Sequence, residues 1–244
     1  MAQNKFNYIK LLILLLIIGA LVIGAYLFIS PRIREDDTVM EISGVVELPQ
    51  PAIRGEISVE ESIQQRRSIR NFDDASLDLE ELSQILWATQ GITDQTQGLR
   101  AAPSAGATYP LEVYVVSGSN GIAGLEEGVY RYEPNEHNLE QTLKGDLRSD
   151  LRNAALGQDF IGEAPVNIII TGIYERTTAR YRDRGIRYVH MEAGHAAQNL
   201  YLQVESLGLG TVVVGAFRDD EVRNLLRLGP DQEPLYIIPI GRRI

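Results

Sequence analysis

Three arginines fall within the seven residues "RRSIRNF" (66–72) of a chain whose formal net charge is −10. A guanidinium presents a planar fork of donors that matches a phosphate or a carboxylate. From these residues alone two readings stay open. Arg66 and Arg67 close a short helix, where an exposed cation favours the dipole by about 0.3–1 kcal/mol. Arg70 lies past that end, in a stretch that reads as extended, so Ser68 and Arg70 project to one side under the two-residue period of a strand. Two forks and a hydroxyl on one side can converge on a phosphate. A second cationic pair, Arg242 and Arg243, follows a buried strand far along the chain. Two such clusters, one at each end of a domain, would suit one phosphorylated cofactor.

Other chemistry is sparse. His190 and His195 lie on a long helix, five residues and about 140° apart around its axis. A zinc-protease pair needs a spacing of four, so these read as separate packing or surface histidines, and no metal site is expected. "ESLGLGTVVVG" runs helix, glycines, strand, the reverse of a dinucleotide fingerprint. Gly208 and Gly210 read as a helix stop and a tight turn. There is no cysteine, which removes thiol nucleophiles and Cys-type zinc sites, and no G-x-S-x-G elbow for a hydrolase.

The elements that must position these groups follow from pattern. Ser58 stands three before Glu61, and Asp78 three before Glu81, each a capping box opening a helix. Leu82, Ile85, Leu86 and Thr89 mark one face of the second helix, and Gly91 stops it. Residues 92–102 read as a loop leading to "PSAGATYP". Strands are expected at 111–118, 128–134, 165–174, 210–217 and 234–242. Short helices are expected within 139–156, a long one over 186–207, and another at "RDDEVRNLLRL". Ala193, Gly194, Ala196 and Ala197 make the long helix rich in small residues, which suits either its own sheet or a crossing in a dimer. Strands alternating with helices give an α+β or α/β class.

The N-terminus is a separate object. "LLILLLIIGALVIGAYLFI", residues 11–29, holds no charge; as a helix it would span roughly 28 Å, close to a bilayer core. Residues 1–30 are therefore expected to form an uncleaved single-pass membrane anchor, 31–57 an extended tether, and 58–244 the folded domain. Lys5 and Lys10 precede the span while Arg32 and Arg34 follow it, so the side of the membrane stays open. Beyond the span, residues 31–244 carry 21 basic and 33 acidic side chains, a net of −12. That balance speaks against nucleic acid as a partner and against electrostatic attraction to an anionic lipid surface.

Taken in order, "RRSIRNF", "LEELSQILWATQGI", "RAAPSAGATYPLEVYVV", "GVYRYEP", "EAPVNIIITG", "RYVHMEAGHAAQNLYLQVESLGLGTVVVGAF" and "EPLYIIPIGR" resemble the nitroreductase-like flavoproteins, and within them the SagB-type (thiazole/oxazole-forming) dehydrogenase branch. The resemblance runs from about residue 58 to 243. It implies an α+β fold with a central mixed sheet flanked by helices, and a homodimer with FMN at the interface. It implies that Arg66, Arg67, Ser68 and Arg70 hold the flavin phosphate and pyrimidine edge, with Arg242 a further phosphate ligand. Pro103, Ser104, Ala105, Gly106 and Ala107 match the segment that reaches the flavin from the partner subunit. Ala107 stands where simple nitroreductases have an asparagine. Gly215 and Ala216 match the loop whose backbone N–H groups face the reactive nitrogen.

The implied activity is FMN-dependent oxidation or reduction of a small organic substrate, with NAD(P)H as electron source. The alternative is a membrane-anchored flavin-binding module without turnover. Azoline oxidases of this branch carry a Lys–Tyr pair, which Arg180–Tyr181 matches here. Arginine stays protonated and is a poor base, which leaves Tyr181 as the catalytic candidate.

Overall fold

The structure is a computed structural model and describes residues 44–244. The expected anchor and the first part of the tether lie outside the described residues. Among the described residues no helix is long and apolar enough to cross a membrane.

The described end of the tether carries a first strand, β1 (Val45–Glu47). Helix α1 (Val59–Gln65) opens on Ser58, whose hydroxyl accepts from the Glu61 N–H while the Glu61 carboxylate accepts from the Ser58 N–H. Helix α2 (Leu79–Gln90) begins where Glu81 accepts from the Asp78 N–H at 2.8 Å. A small hairpin follows, β2 (Ile92–Asp94) and β3 (Leu99–Arg100), within the expected loop. Then come β4 (Leu111–Ser117), β5 (Gly128–Glu133) and β6 (Asn138–Lys144). Short helices α3 (Arg148–Ala154) and α4 (Asp159–Glu163) lead to β7 (Val166–Ile173). Helices α5 (Tyr174–Tyr181) and α6 (Arg184–Ser206) precede β8 (Leu209–Thr211), α7 (Asp219–Leu225) and β9 (Gln232–Arg242).

The main sheet has seven strands in the order β1-β6-β5-β4-β7-β9-β8. The expected mixed sheet is corrected: every ladder in it is antiparallel. The reason is topological. The α5–α6 crossover carries the chain from β7 to β8, which run the same way, but β9 returns between them and runs opposite to both. Parallel strands therefore exist without being neighbours.

Both faces of the sheet are covered, so β7 is buried along nearly its whole length. Ile168 and Ile170 join Leu82, Leu86, Val189, Ala196 and Leu200 on the α2/α6 side. Ile169 joins Leu151, Ile161 and Val222 on the α3/α4/α7 side. Ala193, Ala196 and Ala197 are thus spent on the chain's own core, and their small size lets α6 lie close to the sheet. Gly194 differs: a Cβ there would meet nothing within 4 Å.

Residues 138–144 are a strand rather than the start of a helix, because Leu139, Gln141 and Leu143 alternate inward. The expected strand at 210–217 pairs only over Leu209–Thr211, with one further bridge from Val214 to Ile237. Past Val214 the chain leaves the sheet as a loop.

Candidate flavin-binding site

The arginine segment is stitched to the sheet edge. Its Ile69 N–H donates to the Thr211 carbonyl at 2.9 Å, and the Asp73 N–H to the Arg242 carbonyl at 3.0 Å. Ile69 packs on Gly210, where a Cβ would come within 2.8 Å of the Ile69 side chain. Gly210 is therefore a close-packing glycine within β8, not the expected turn. Gly208, at φ +72°, does stop the helix, its N–H donating to Glu205.

With Ile69 turned in, Ser68 and Arg70 are exposed, as the alternation requires. Ser68 Oγ shares a 3.0 Å hydrogen bond with the Tyr201 hydroxyl, and the Val213 N–H donates to that hydroxyl at 2.9 Å. The Arg66 guanidinium lies 4.9 Å from the Tyr201 ring centre, and that of Arg70 lies 5.7 Å from the Phe160 ring centre. Arg67 donates to the Gln64 and Arg66 carbonyls at 3.0 and 2.8 Å, the helix-end role open to it from sequence. Among the described residues none of these three arginines is in an ion pair.

Arg242 is different. It donates to both Glu81 carboxylate oxygens, at 3.2 and 3.1 Å, and lies 3.8 Å from Asp78. Arg243 donates to the Leu209 carbonyl and to Glu205, a carboxylate that is almost wholly buried.

The loop after Val214 carries Gly215 and Ala216. Val214 and Ile237 exchange two backbone bonds at 2.9 and 3.0 Å, while the Gly215 and Ala216 N–H groups have no acceptor among the described residues. Gln158 donates to the Ala216 carbonyl at 2.9 Å and holds the loop from below. Two exposed, unused backbone donors are what an electron-rich ring edge needs.

The "PSAGATYP" turn lies elsewhere. Ala105–Ala107 form a 3₁₀ turn with Gly106 at φ +61° and Ala107 at φ +53°. Ser104 Oγ accepts from the Tyr109 N–H at 3.0 Å. Thr108 and Thr177 share a 2.8 Å hydroxyl bond, and Arg180 donates to the Gly106 carbonyl at 3.2 Å. A Cβ on Gly106 would lie 2.5 Å from the Tyr181 hydroxyl, so Tyr181 sits against this turn and stacks edge-on with Tyr188 at 5.1 Å. Pro103 is exposed beside it.

Two groups of site residues thus form. Arg66 and Ser68 meet Tyr201, whose hydroxyl also accepts from the Val213 N–H two residues before Gly215, while Arg70 lies over Phe160. Residues 103–107 gather around Tyr181. The Arg66–Ser68 segment meets α6 at Tyr201 and the turn meets it near Glu192, about 13 Å away along the helix axis, while Gly215 shares a cavity with Ala193 and His190.

Glu192, which in the sequence is only the acid between two histidines, is a buried carboxyl beside the second group. It is 2% exposed and its Oε1 has no partner among the described residues. Burial pushes its carboxyl up to about 7, opposed by the Ser104 hydroxyl and the Arg100 guanidinium. The available signal was an acid in the apolar stripe Val189, Ala193, Ala196, Leu200. The His190 ring bonds the Tyr174 hydroxyl at 2.6 Å and His195 is exposed, the separate roles expected of them. Among the described residues no cluster could hold a metal ion.

A seven-stranded antiparallel sheet, covered on both faces, with an arginine segment docked on its β8–β9 edge defines an α+β class of known architecture. Residues 63–242 match the family model described as the nitroreductase family, and the chain belongs to that family of oxidoreductases. A Methanocaldococcus jannaschii protein bearing the nitroreductase name, MJ1384, is 50% identical over 189 residues, 78% of this chain and 93% of that one. The crystal structure of a nitroreductase-named protein from Ralstonia eutropha JMP134 superposes with a TM-score of 0.72 at 33% identity, covering 82% of this chain and 90% of that chain. In the branch that the motifs resemble, the microcin B17-processing protein McbC of Escherichia coli is 30% identical over 132 residues. That match covers 53% of this chain and 48% of McbC, so it spans about half the length of that relative.

Proposed function

We propose that the protein is an FMN-dependent oxidoreductase, a homodimer whose flavin sites are completed across the interface. The observation that carries this reading is the Ser68–Tyr201–Val213 chain of hydrogen bonds. It ties a segment whose arginines have no ion pair among the described residues to the loop with unused backbone donors, so one ligand with an anionic end and an electron-rich ring edge would meet both. FMN fits that donor set. Arg66, Arg67, Ser68 and Arg70 would hold its phosphate and pyrimidine edge, and the Gly215 and Ala216 N–H groups would face its reactive nitrogen. Arg242 fits less well, because Glu81 already neutralises it.

When bound, the flavin supplies two-electron hydride chemistry. The chain supplies placement and charge. Cations at the pyrimidine edge favour the anionic reduced form, and backbone donors in a water-poor site need no reorganisation as charge develops. The turn 103–107 of one subunit would cover the flavin of the other and exclude water. Tyr181 would act from that turn as proton donor or acceptor toward substrate. NAD(P)H is the proposed reductant, and residues 1–30 would tether the dimer to a membrane.

The test is a titration of the purified full-length protein with FMN, followed by gel filtration of the complex. Stoichiometric flavin on a dimer supports the reading, and flavin that elutes free refutes it. Bound flavin that dithionite and NAD(P)H both fail to reduce would favour the binding module without turnover.

A further inference from the structure

The buried carboxyl of Glu192 has no part in the site so far. It meets the base of the turn that carries Ser104. Its charged surroundings are sparse. From β3, Arg100 faces it, but that guanidinium donates to the Gln90 side chain of α2 at 3.1 Å and lies 4.7 Å from the Tyr109 ring centre. Arg100 and Glu192 form no ion pair among the described residues. Glu112 of β4 and Arg176 of α5 lie near Arg100 and pair with each other at 2.6 Å, so their charges offset one another. A buried carboxylate without a paired cation is costly, and the Oε1 of this one has no hydrogen-bond partner among the described residues. The neutral acid removes most of that cost. Burial accordingly pushes the carboxyl up to about 7.

Ser104 is the group on which that proton acts. Its hydroxyl oxygen accepts from the Tyr109 N–H at 3.0 Å, and the same hydroxyl faces the Glu192 carboxyl. A hydroxyl has one hydrogen to give and two lone pairs. Tyr109 takes one lone pair. An ionised Glu192 only accepts, so it draws the Ser104 hydrogen to itself. A protonated Glu192 donates its own O–H to the second lone pair, and the Ser104 hydrogen is released. Ser104 is half-buried on a turn whose Pro103, Gly106 and Ala107 are exposed, so the released hydrogen is available to a ligand lying on that surface. The backbone of the turn is held independently. Ala107 and Tyr109 keep left-handed conformations at φ +53° and +43°, and the Thr108–Thr177 and Arg180–Gly106 bonds fix the turn to α5. A proton gained or lost at Glu192 therefore redirects one hydrogen bond and leaves the turn in place.

We propose that Glu192 is a positioning residue that acts through Ser104: protonated, it frees the Ser104 hydroxyl to donate to the flavin that the turn covers, and ionised, it withdraws that donor. This rests on the reading of residues 103–107 as the cover over the flavin of the partner subunit. The carbonyl oxygens of a flavin ring are acceptors, as a freed hydroxyl requires. The site then holds its flavin more tightly on the acid side of neutrality.

The test is an FMN titration of the full-length parent, Glu192→Gln and Ser104→Ala, each at pH 6 and at pH 8. The FMN phosphate titrates close to this range whichever protein is used, so affinities are compared between proteins at one pH. In Glu192→Gln the amide donates to Ser104 at either pH and mimics the protonated acid. At pH 6 the parent and Glu192→Gln bind FMN alike. At pH 8 the parent binds about three- to tenfold more weakly than Glu192→Gln, the worth of one neutral hydrogen bond. Ser104→Ala shows the reverse pattern: about three- to tenfold weaker than the parent at pH 6 and equal to it at pH 8. A Glu192 that only supports the fold leaves the ratio of parent to Ser104→Ala affinity the same at both pH values, and that result overturns the proposal. A pH-independent ratio of parent to Glu192→Gln affinity overturns it as well. Should Glu192→Gln fold poorly, the Ser104→Ala ratio decides alone. Absence of bound flavin in the parent at both pH values overturns the underlying reading, and the proposal with it.

Discussion

Ser68 and Tyr201 share a 3.0 Å hydrogen bond across 133 residues of sequence, and the same Tyr201 hydroxyl accepts from the Val213 N–H at 2.9 Å. One phenol thereby sets the distance between the arginine segment and the loop that ends in Gly215. Tyr201→Phe keeps the ring beneath Arg66 but leaves the Val213 N–H without its acceptor. An unsatisfied donor of this kind costs about 1–3 kcal/mol. A lowered melting temperature together with weaker FMN binding is expected. Weaker melting with unchanged FMN affinity would confine Tyr201 to a structural role.

Gly210 tests the same relationship from below. In Gly210→Ala the added methyl meets Ile69 at 2.8 Å, and overpacking of that kind costs about 1–3 kcal/mol. Because Ile69 lies between Ser68 and Arg70, the methyl displaces both. FMN affinity falls in a calorimetric titration while far-ultraviolet circular dichroism stays that of the parent.

Arg242 gives a prediction of opposite sign. Glu81→Gln keeps a side chain able to accept from the Asp78 N–H but removes the charge that neutralises Arg242. A half-exposed pair of this kind contributes at most about 1 kcal/mol to stability. FMN then binds more tightly by about three- to tenfold if the freed guanidinium reaches the phosphate. Unchanged affinity in the same titration would show that Arg242 is a structural anchor for α2 and no phosphate ligand.

Glu192 makes stability depend on pH. Its folded pKa is raised from 4.5 to about 7, so the folded state holds a proton that the unfolded state has lost between those values. Stability is therefore full below about 4.5 and declines as pH rises toward 7, flattening above it. Glu192→Gln, uncharged at every pH, removes this component of the slope. Denaturant midpoints at pH 5 and pH 8 should differ less in the variant than in the parent. Equal differences in both proteins would count against a buried, protonated Glu192.

The sequence is most legible where local pattern is self-sufficient. Both capping boxes, the long helix, the apolar strands β4 and β7 and the alternation of Ser68 with Arg70 are decided by a few neighbouring residues. Strand β6 was read as helix because "NLEQTLK" holds one β-branched residue, Thr142, and no aromatic; its pairing with β5, not its own propensity, makes it a strand. The antiparallel sheet was out of reach for a related reason: β9 slips between β7 and β8, a fact about order in space. Gly210 was misjudged, and the partner of Arg242 was not visible. A glycine needed for close packing looks like a turn until Ile69 is set on it, and an arginine looks free until Glu81, 161 residues away, is placed beside it. Glu192 had a visible signal, an acid on an apolar stripe, which the histidines flanking it obscured.

The central claim is that the arginines of residues 66–70 hold FMN. An FMN titration of the purified full-length protein, the parent against Arg66→Ala/Arg70→Ala, read by visible absorbance and by quenching of flavin fluorescence, tests it most directly. The account predicts one tightly held flavin per chain in the parent and a loss of affinity of at least about a hundredfold in the variant, whose melting curve stays close to that of the parent. Equal affinity in the two proteins, or no bound flavin in the parent, would contradict it.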